Sequence, residues 1–301
     1  MSTEVAAAGR EGVVQPLVSP EWLAAHLDDP ELRLIDSRYY LDGSDPEREY
    51  ESAHIPGAIY ADTERDLTGH PGFGGGRHPM PERAEFECTA RRLGISATSH
   101  VVVYSNLFSA ARLWWLLRFY AFARVSLLDG GLGAWGGPLI GGPSPSVPPG
   151  DFVAAEGRRE LLASLNDVAA RDRSIVLLDA RGPDRFRGEV APGDPYPGRI
   201  PGAVSAWWQE VSAGVGGRFA SPEQIHDRLA ERGLGSSGSA ICYCGSGVQA
   251  CHLVFSASLA GFEEPRLYIG SWSEWARTFP SPHDVGPGVP GAGRDAGSQG
   301  N

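Results

Sequence analysis

Residues 241–254 read ICYCGSGVQACHLV, and they hold three of the chain's four cysteines, Cys242, Cys244 and Cys251. A metal site, a piece of core and a reactive thiolate would each use such residues. Zinc needs four ligands converging as a tetrahedron, and Cys-x-Cys followed by Cys251-His252 matches no common zinc spacing, so no metal is expected. Buried free cysteine is ordinary core material. That suits Cys242 in an apolar run, Cys251 on a helix, and Cys88 in PERAEFECTARRLG. Cys244 differs, because Gly245-Ser246-Gly247 follows it and serves no packing purpose. Glycines let successive backbone N–H groups turn inward, and such a nest at a helix N-terminus is an anion site. A cysteine at its start supplies the anion itself. Helix N-termini bring thiol pKa values down to roughly 3.5–7.5, which makes Cys244 the candidate nucleophile.

The elements that must position this loop follow from pattern. ICYC reads as a strand and VQACHLVFSASLAG as a helix ended by Gly261, so the loop lies at the carboxyl end of a strand, where open α/β sheets bind ligands. LRLID, VVVYS and RVSLLDG are short apolar runs of the kind buried on both faces of a parallel sheet. SPEWLAAHL (19–27) and SPEQIHDRLAERG (221–233) each begin with a serine cap, and the second ends at a glycine.

The chain also repeats itself. LRLIDSRYY (32–40) corresponds to IVLLDARGP (175–183), and AHIPGAIYAD (53–62) to GRIPGAVSAW (198–207). VVVYSNLFSAARLWWLL (101–117) corresponds to AICYCGSGVQACHLVFS (240–256), and RVSLLDGGLGAW (124–135) to PRLYIGSWSEW (265–275). Four signals in the same order imply two copies of one α/β fold, each a parallel sheet with helices on both faces. The expected division is a first domain over 13–136, a Gly/Pro linker over 137–150, a second domain over 151–280 and a disordered tail over 281–301.

Composition bounds the partners. The chain has 301 residues, 42% hydrophobic and 21% charged, with a formal net charge of −11. That balance argues against nucleic acid or an anionic membrane as the main partner, since both need a basic surface. No apolar run is long enough to span a bilayer, the first residues carry no secretory pattern, and four cysteines make no disulfide framework. A reduced, cytoplasmic protein is expected. No phosphate-binding or flavin motif appears, and thiolate chemistry needs no cofactor.

With the repeat, HIPGA at 54–58, IPGAV at 200–204, DAR at 179–181 and a cysteine loop only in the second copy, the chain resembles the tandem-domain rhodanese family of sulfurtransferases from about Val14 to Pro280. The loop CGSGVQA is similar to the CGSGVTA form of mercaptopyruvate-type members and lacks the Cys-Arg-Lys-Gly start of thiosulfate-type members. The resemblance implies that Cys244 takes sulfur from 3-mercaptopyruvate or thiosulfate as a persulfide. The sulfur then passes to cyanide, a thiol or a thioredoxin-like acceptor. It implies a proton relay of Ser246 with His78 and Glu64 (Asp62 being the nearby alternative), and a donor site of Arg185, Gly245, Gly247, Val248 and Gln249, with Arg187 as a second donor contact. Ser105 stands at the cysteine position of the first copy, so that domain is expected to be catalytically silent and to supply one wall of the cleft. Arg181 is expected to pair with Asp179, and His54 and Arg199 to serve the scaffold. Trp207 and Trp208 either line the pocket or fill core.

Two departures bear on the donor. Gln249 stands where threonine is usual, and the segment 188–199 carries Asp194 and lacks the further arginine of some mercaptopyruvate-type enzymes. Two other readings compete. A cysteine phosphatase or arsenate reductase needs Cys-x5-Arg, but the sixth residue after Cys244 is Ala250. A persulfide carrier without turnover would need the loop but not the relay.

Overall fold

The computed structural model describes residues 14–70, 75–194, 196–235 and 239–279; the tail expected over 281–301 lies outside them. Two parallel sheets form, each flanked by helices. The first contains β1 (Leu17–Val18), β2 (Leu32–Asp36), β3 (Ile59–Tyr60), β4 (His100–Tyr104) and β5 (Val125–Leu128) in the order β1-β5-β4-β2-β3. The second contains β6 (Val176–Asp179), β7 (Val204–Ser205), β8 (Ala240–Tyr243) and β9 (Arg266–Leu267) in the order β7-β6-β8-β9. A parallel bridge between Leu162 and Leu267 stands where β1 pairs with β5 in the first sheet. The central strands are almost wholly buried, as their unbroken apolar sequences require.

The repeat extends to individual hydrogen bonds. Arg38 pairs with Asp36 and donates to the carbonyl of Ala53. Arg181 pairs with Asp179 at 2.7 Å and donates to the carbonyl of Gly198. The hydroxyls of Tyr104 and Tyr243 accept from the backbone N–H of Ile55 and Ile200 in the two HIPGA-type turns. These buried pairs tie each central sheet to its turn, and neither arginine is free for a ligand. His54 is equally structural: it stacks on Tyr50 with ring centroids 4.0 Å apart, its ring nitrogen 2.9 Å from the Tyr50 carbonyl.

The domains meet along two helices, Ala110–Phe119 and Val248–Leu259. Both follow the central strand of their sheet, so the contact sets the two strand ends side by side. Trp114 meets Phe255 edge to face at 5.0 Å, and Phe108 meets Trp208 at 5.3 Å. Trp208 is thus interdomain core. The stretch read as a linker is fastened to the first domain. Ile140 pairs with His54 and Ser144 accepts from Tyr60, and just past the linker Phe152 packs against Phe86 and Phe122 of the first domain. Gly and Pro prevent this segment from burying a face of its own, yet its backbone still finds partners along the surface it crosses.

Candidate active site

Strand β8 ends at Tyr243, and the chain turns at once into the helix beginning at Val248. Cys244, at the turn, is 1% exposed. Gly247 closes the loop at φ +86°, a backbone conformation that costs glycine little and L-residues more. That conformation points the Gly247 N–H at Cys244 Sγ, 3.1 Å away. The loop is clamped from behind by the turn after β9. The Ser271 hydroxyl accepts from the Cys244 N–H, while the N–H groups of Trp272 and Ser273 donate to the carbonyls of Cys244 and Gly245. The other two thiols of this stretch are held neutral: burial raises Cys242 well above the usual range and pushes Cys251 up to about 12. Both are core, as their sequence context suggests. Cys88 is a correction. It lies on the helix Arg83–Arg92 but is exposed, because Phe86 and Ala90, one turn apart, take the buried face.

In the first domain Ser105 occupies the same strand end, and its carbonyl accepts from Leu132 as that of Cys244 does from Trp272. The residue before the helix is Ser109 in right-handed backbone instead of a glycine at positive φ. Only the more distant Ala110 N–H reaches the Ser105 hydroxyl, at 3.3 Å.

The first domain brings His78 across the interface. His78 Nδ1 lies 2.7 Å from Ser246 Oγ, and its Nε2 lies 3.4 Å from Glu64 Oε1. His78 is 2% exposed, whereas the Glu64 side chain is 66% exposed. Burial, then the nearby guanidiniums of Arg112 and Arg77, lower the His78 pKa to about 3. The ring is therefore neutral at physiological pH, with one nitrogen donating and the other accepting. Asp62 is occupied elsewhere: it accepts from the Tyr60 hydroxyl and from the backbone N–H groups of Glu64 and Arg65.

Arg185 is 7% exposed and lines the cavity over Cys244 with Tyr39, Arg77, Phe108, Val248 and Gln249. It pairs with Asp194 Oδ2 at 2.5 Å, and Arg181 reaches the same oxygen at 3.3 Å. Beside this cavity opens a cleft of about 530 Å³ shared by the two domains, with Tyr40, Leu41, Glu64, Arg77, Arg185 and Gly193 on its walls. Arg187 is not among these residues. It lies exposed, paired with Glu189 at 2.6 Å, so its expected place as a second donor contact is withdrawn. Residues 185 and 187 of one short helix point to opposite sides.

Several residues here escaped the sequence reading. Arg112 is fully buried and holds the loop that carries His78, donating to the carbonyls of Leu67, His78 and Pro79. An arginine in the first turn of the apolar helix AARLWWLLRF was the available signal. Arg77 bridges the domains, its backbone N–H donating to Ser273 Oγ and its guanidinium lying 3.4 Å from Ser246 Oγ. Among the described residues no group of three or more His, Cys, Asp or Glu side chains is placed to hold a metal.

The rhodanese-like domain model matches residues 19–137 and again 159–278. The chain belongs to the rhodanese family. Among its rhodanese relatives is a Pseudomonas aeruginosa protein named "Probable 3-mercaptopyruvate sulfurtransferase", 45% identical, the match covering 86% of this chain and 94% of that protein. The 3-mercaptopyruvate sulfurtransferase of Escherichia coli is 34% identical over 86% of this chain and 94% of its own. The crystal structure of SseA from Escherichia coli, described as having the rhodanese fold of 3-mercaptopyruvate sulfotransferases, superposes with a TM-score of 0.74 at 33% identity, covering 87% of this chain and all of that one. This rhodanese is thus a sulfurtransferase with two tandem rhodanese-like domains. No helix among the described residues is long and apolar enough to cross a membrane.

Proposed function

We propose that this rhodanese moves sulfur from 3-mercaptopyruvate, in preference to thiosulfate, to a thiol or cyanide through a persulfide on Cys244. The Cys244 thiolate attacks the donor sulfur and the carbon–sulfur bond breaks. Its electron pair passes to carbon as the enolate of pyruvate, which must then be protonated. The observation that carries the choice of donor is the 2.7 Å contact between Ser246 Oγ and His78 Nδ1, one residue past Gly245 from the nucleophile. A hydroxyl backed by a neutral imidazole can hand a proton to a carbon leaving group. Thiosulfate releases sulfite, a stable anion that needs no such proton. Arg185 is the cation for the donor carboxylate, Gly247 N–H holds the anionic sulfur, and Gly245, Val248 and Gln249 shape the cavity. Glu64, more exposed, orients the far side of the imidazole. The persulfide then loses its outer sulfur to the acceptor, and Cys244 returns as thiolate. Four free cysteines suit a reducing, cytoplasmic setting.

The test is steady-state sulfur transfer to cyanide with each donor, with Cys244→Ser as blank. A kcat/KM clearly higher for 3-mercaptopyruvate is expected. A higher value for thiosulfate would overturn the choice of donor. Persulfide on Cys244 without repeated turnover would leave a sulfur carrier instead of an enzyme.

A further inference from the structure

Asp194 is out of place in a site built for anions. Its side chain is 1% exposed and lies between two guanidiniums, those of Arg181 and Arg185. One carboxylate oxygen, Oδ2, serves both Arg181 and Arg185. The other, Oδ1, is buried with no partner. It faces the nucleophile loop: a Cβ added to Gly245 would sit 3.2 Å from Oδ1 and 2.5 Å from the Nη2 of Arg185. A buried acceptor without a donor is costly, and a charged one more so. Beside Cys244, therefore, a cation and an unsatisfied anion stand together.

A donor bearing only a carboxylate uses half of this pair and sets its own charge against Asp194. A zwitterion uses both halves, with its carboxylate on Arg185 and its ammonium on Asp194 Oδ1. Resting on the Cys244 persulfide reading above, we propose that Asp194 is a specificity-determining residue that admits α-amino-acid hydropersulfides, such as cysteine hydropersulfide, as sulfur donors. In the transfer the Cys244 thiolate attacks the outer sulfur of R–S–SH. The new Cys244 sulfur–sulfur bond forms as the donor's sulfur–sulfur bond breaks. The electron pair leaves on the inner sulfur as the cysteine thiolate, and the proton stays on the transferred sulfur. No oxidant or reductant enters.

The experiment compares two donors that differ only in the ammonium, cysteine hydropersulfide and 3-mercaptopropionate hydropersulfide, both generated in situ. Single-turnover formation of the Cys244 persulfide is read by intact mass, alongside 3-mercaptopyruvate turnover. The wild-type protein is expected to react about 10- to 100-fold faster with the amino donor, the worth of one charge-assisted hydrogen bond. Asp194→Asn should bring the two donors to near parity and raise kcat/KM for 3-mercaptopyruvate, because Arg185 is released. Asp194→Glu, which keeps the charge, should retain the preference, and thermal melts of both variants show whether the fold persists. Parity in the wild type, or a preference unchanged in Asp194→Asn, overturns the proposal while leaving sulfur transfer intact. Failure of Cys244 to take sulfur from any donor, 3-mercaptopyruvate included, removes the persulfide reading and this proposal with it.

Discussion

Gly247→Ala isolates what the loop backbone does for the nucleophile. At φ +86° an alanine carries roughly 1–2 kcal/mol of backbone strain. Its Cβ would also lie 2.7 Å from the Ile269 carbonyl oxygen and 3.0 Å from Ile269 Cγ1. A backbone carbonyl cannot swing aside as a side chain can, and overpacking of this kind costs about 1–3 kcal/mol. The sum is roughly 2–5 kcal/mol, or a fall in Tm of roughly 5–15 °C in a chain of this size. Relaxing the loop rotates the Gly247 N–H away from Cys244 Sγ, which removes the hydrogen bond to the attacking sulfur and slows persulfide formation about 10- to 100-fold. Gly57→Ala is the control. Gly57 has φ +80° but nothing within 4 Å of the added Cβ, so only the strain of roughly 1–2 kcal/mol applies and sulfur transfer is untouched. The assays are thermal unfolding and single-turnover persulfide formation from 3-mercaptopyruvate, followed by mass. Equal Tm losses in the two variants, with equal persulfide rates, would refute the reasoning.

Ser246→Ala and His78→Gln should each lower kcat with 3-mercaptopyruvate by about 10²–10⁴-fold and leave thiosulfate turnover far less affected, whereas Glu64→Gln, at 3.4 Å and largely exposed, should cost much less. Arg187→Ala should leave kcat/KM for either donor within about twofold, since its guanidinium pairs with Glu189 at the surface. Burial lowers both His78 and His252 to about 3, far under their unfolded value near 6.5. Between these values the unfolded chain binds the extra protons, so stability is full above about pH 6.5 and is lost on acidification, approaching 1.4 kcal/mol per pH unit per histidine. Urea midpoints measured from pH 7 to pH 4.5 check this, and His252→Gln should flatten the slope.

The parts of the molecule legible in sequence are those dictated by local chemistry. VVVYS and RVSLLDG declare strands buried on both faces, and they are β4 and β5. Two copies of the HIPGA-type turn and of Asp-x-Arg declare the repeat, down to equivalent ion pairs at Asp36 and Asp179. The Cys244 loop was readable because glycine at its end has one strong physical reason to be there. What could not be read depends on how side chains converge once each domain is folded. The burial of His78 is set by Arg112, thirty-four residues away, reaching its backbone carbonyl. The unpartnered oxygen of Asp194 exists only because Arg181 and Arg185 converge on its twin. Cys88 and Arg187 went astray for a simpler reason: each stands two residues from a functional or buried neighbour on a helix, which turns it to the other side.

The two helices that join the domains also decide how a sulfur acceptor can arrive. Swinging the domains apart to expose Cys244 would break the edge-to-face contact of Trp114 on Phe255 and the contact of Phe108 on Trp208. That aromatic seam favours turnover with the domains kept in register. The standing cleft between Tyr40, Leu41 and Gly193 shares Arg77 and Arg185 with the cavity over Cys244, and so offers an acceptor a way in without opening the domains. Cyanide or a small thiol enters it whole. A protein acceptor would have to fit its cysteine into the same crevice, which would make the shape of the recipient, and not only its affinity for sulfur, a condition of transfer.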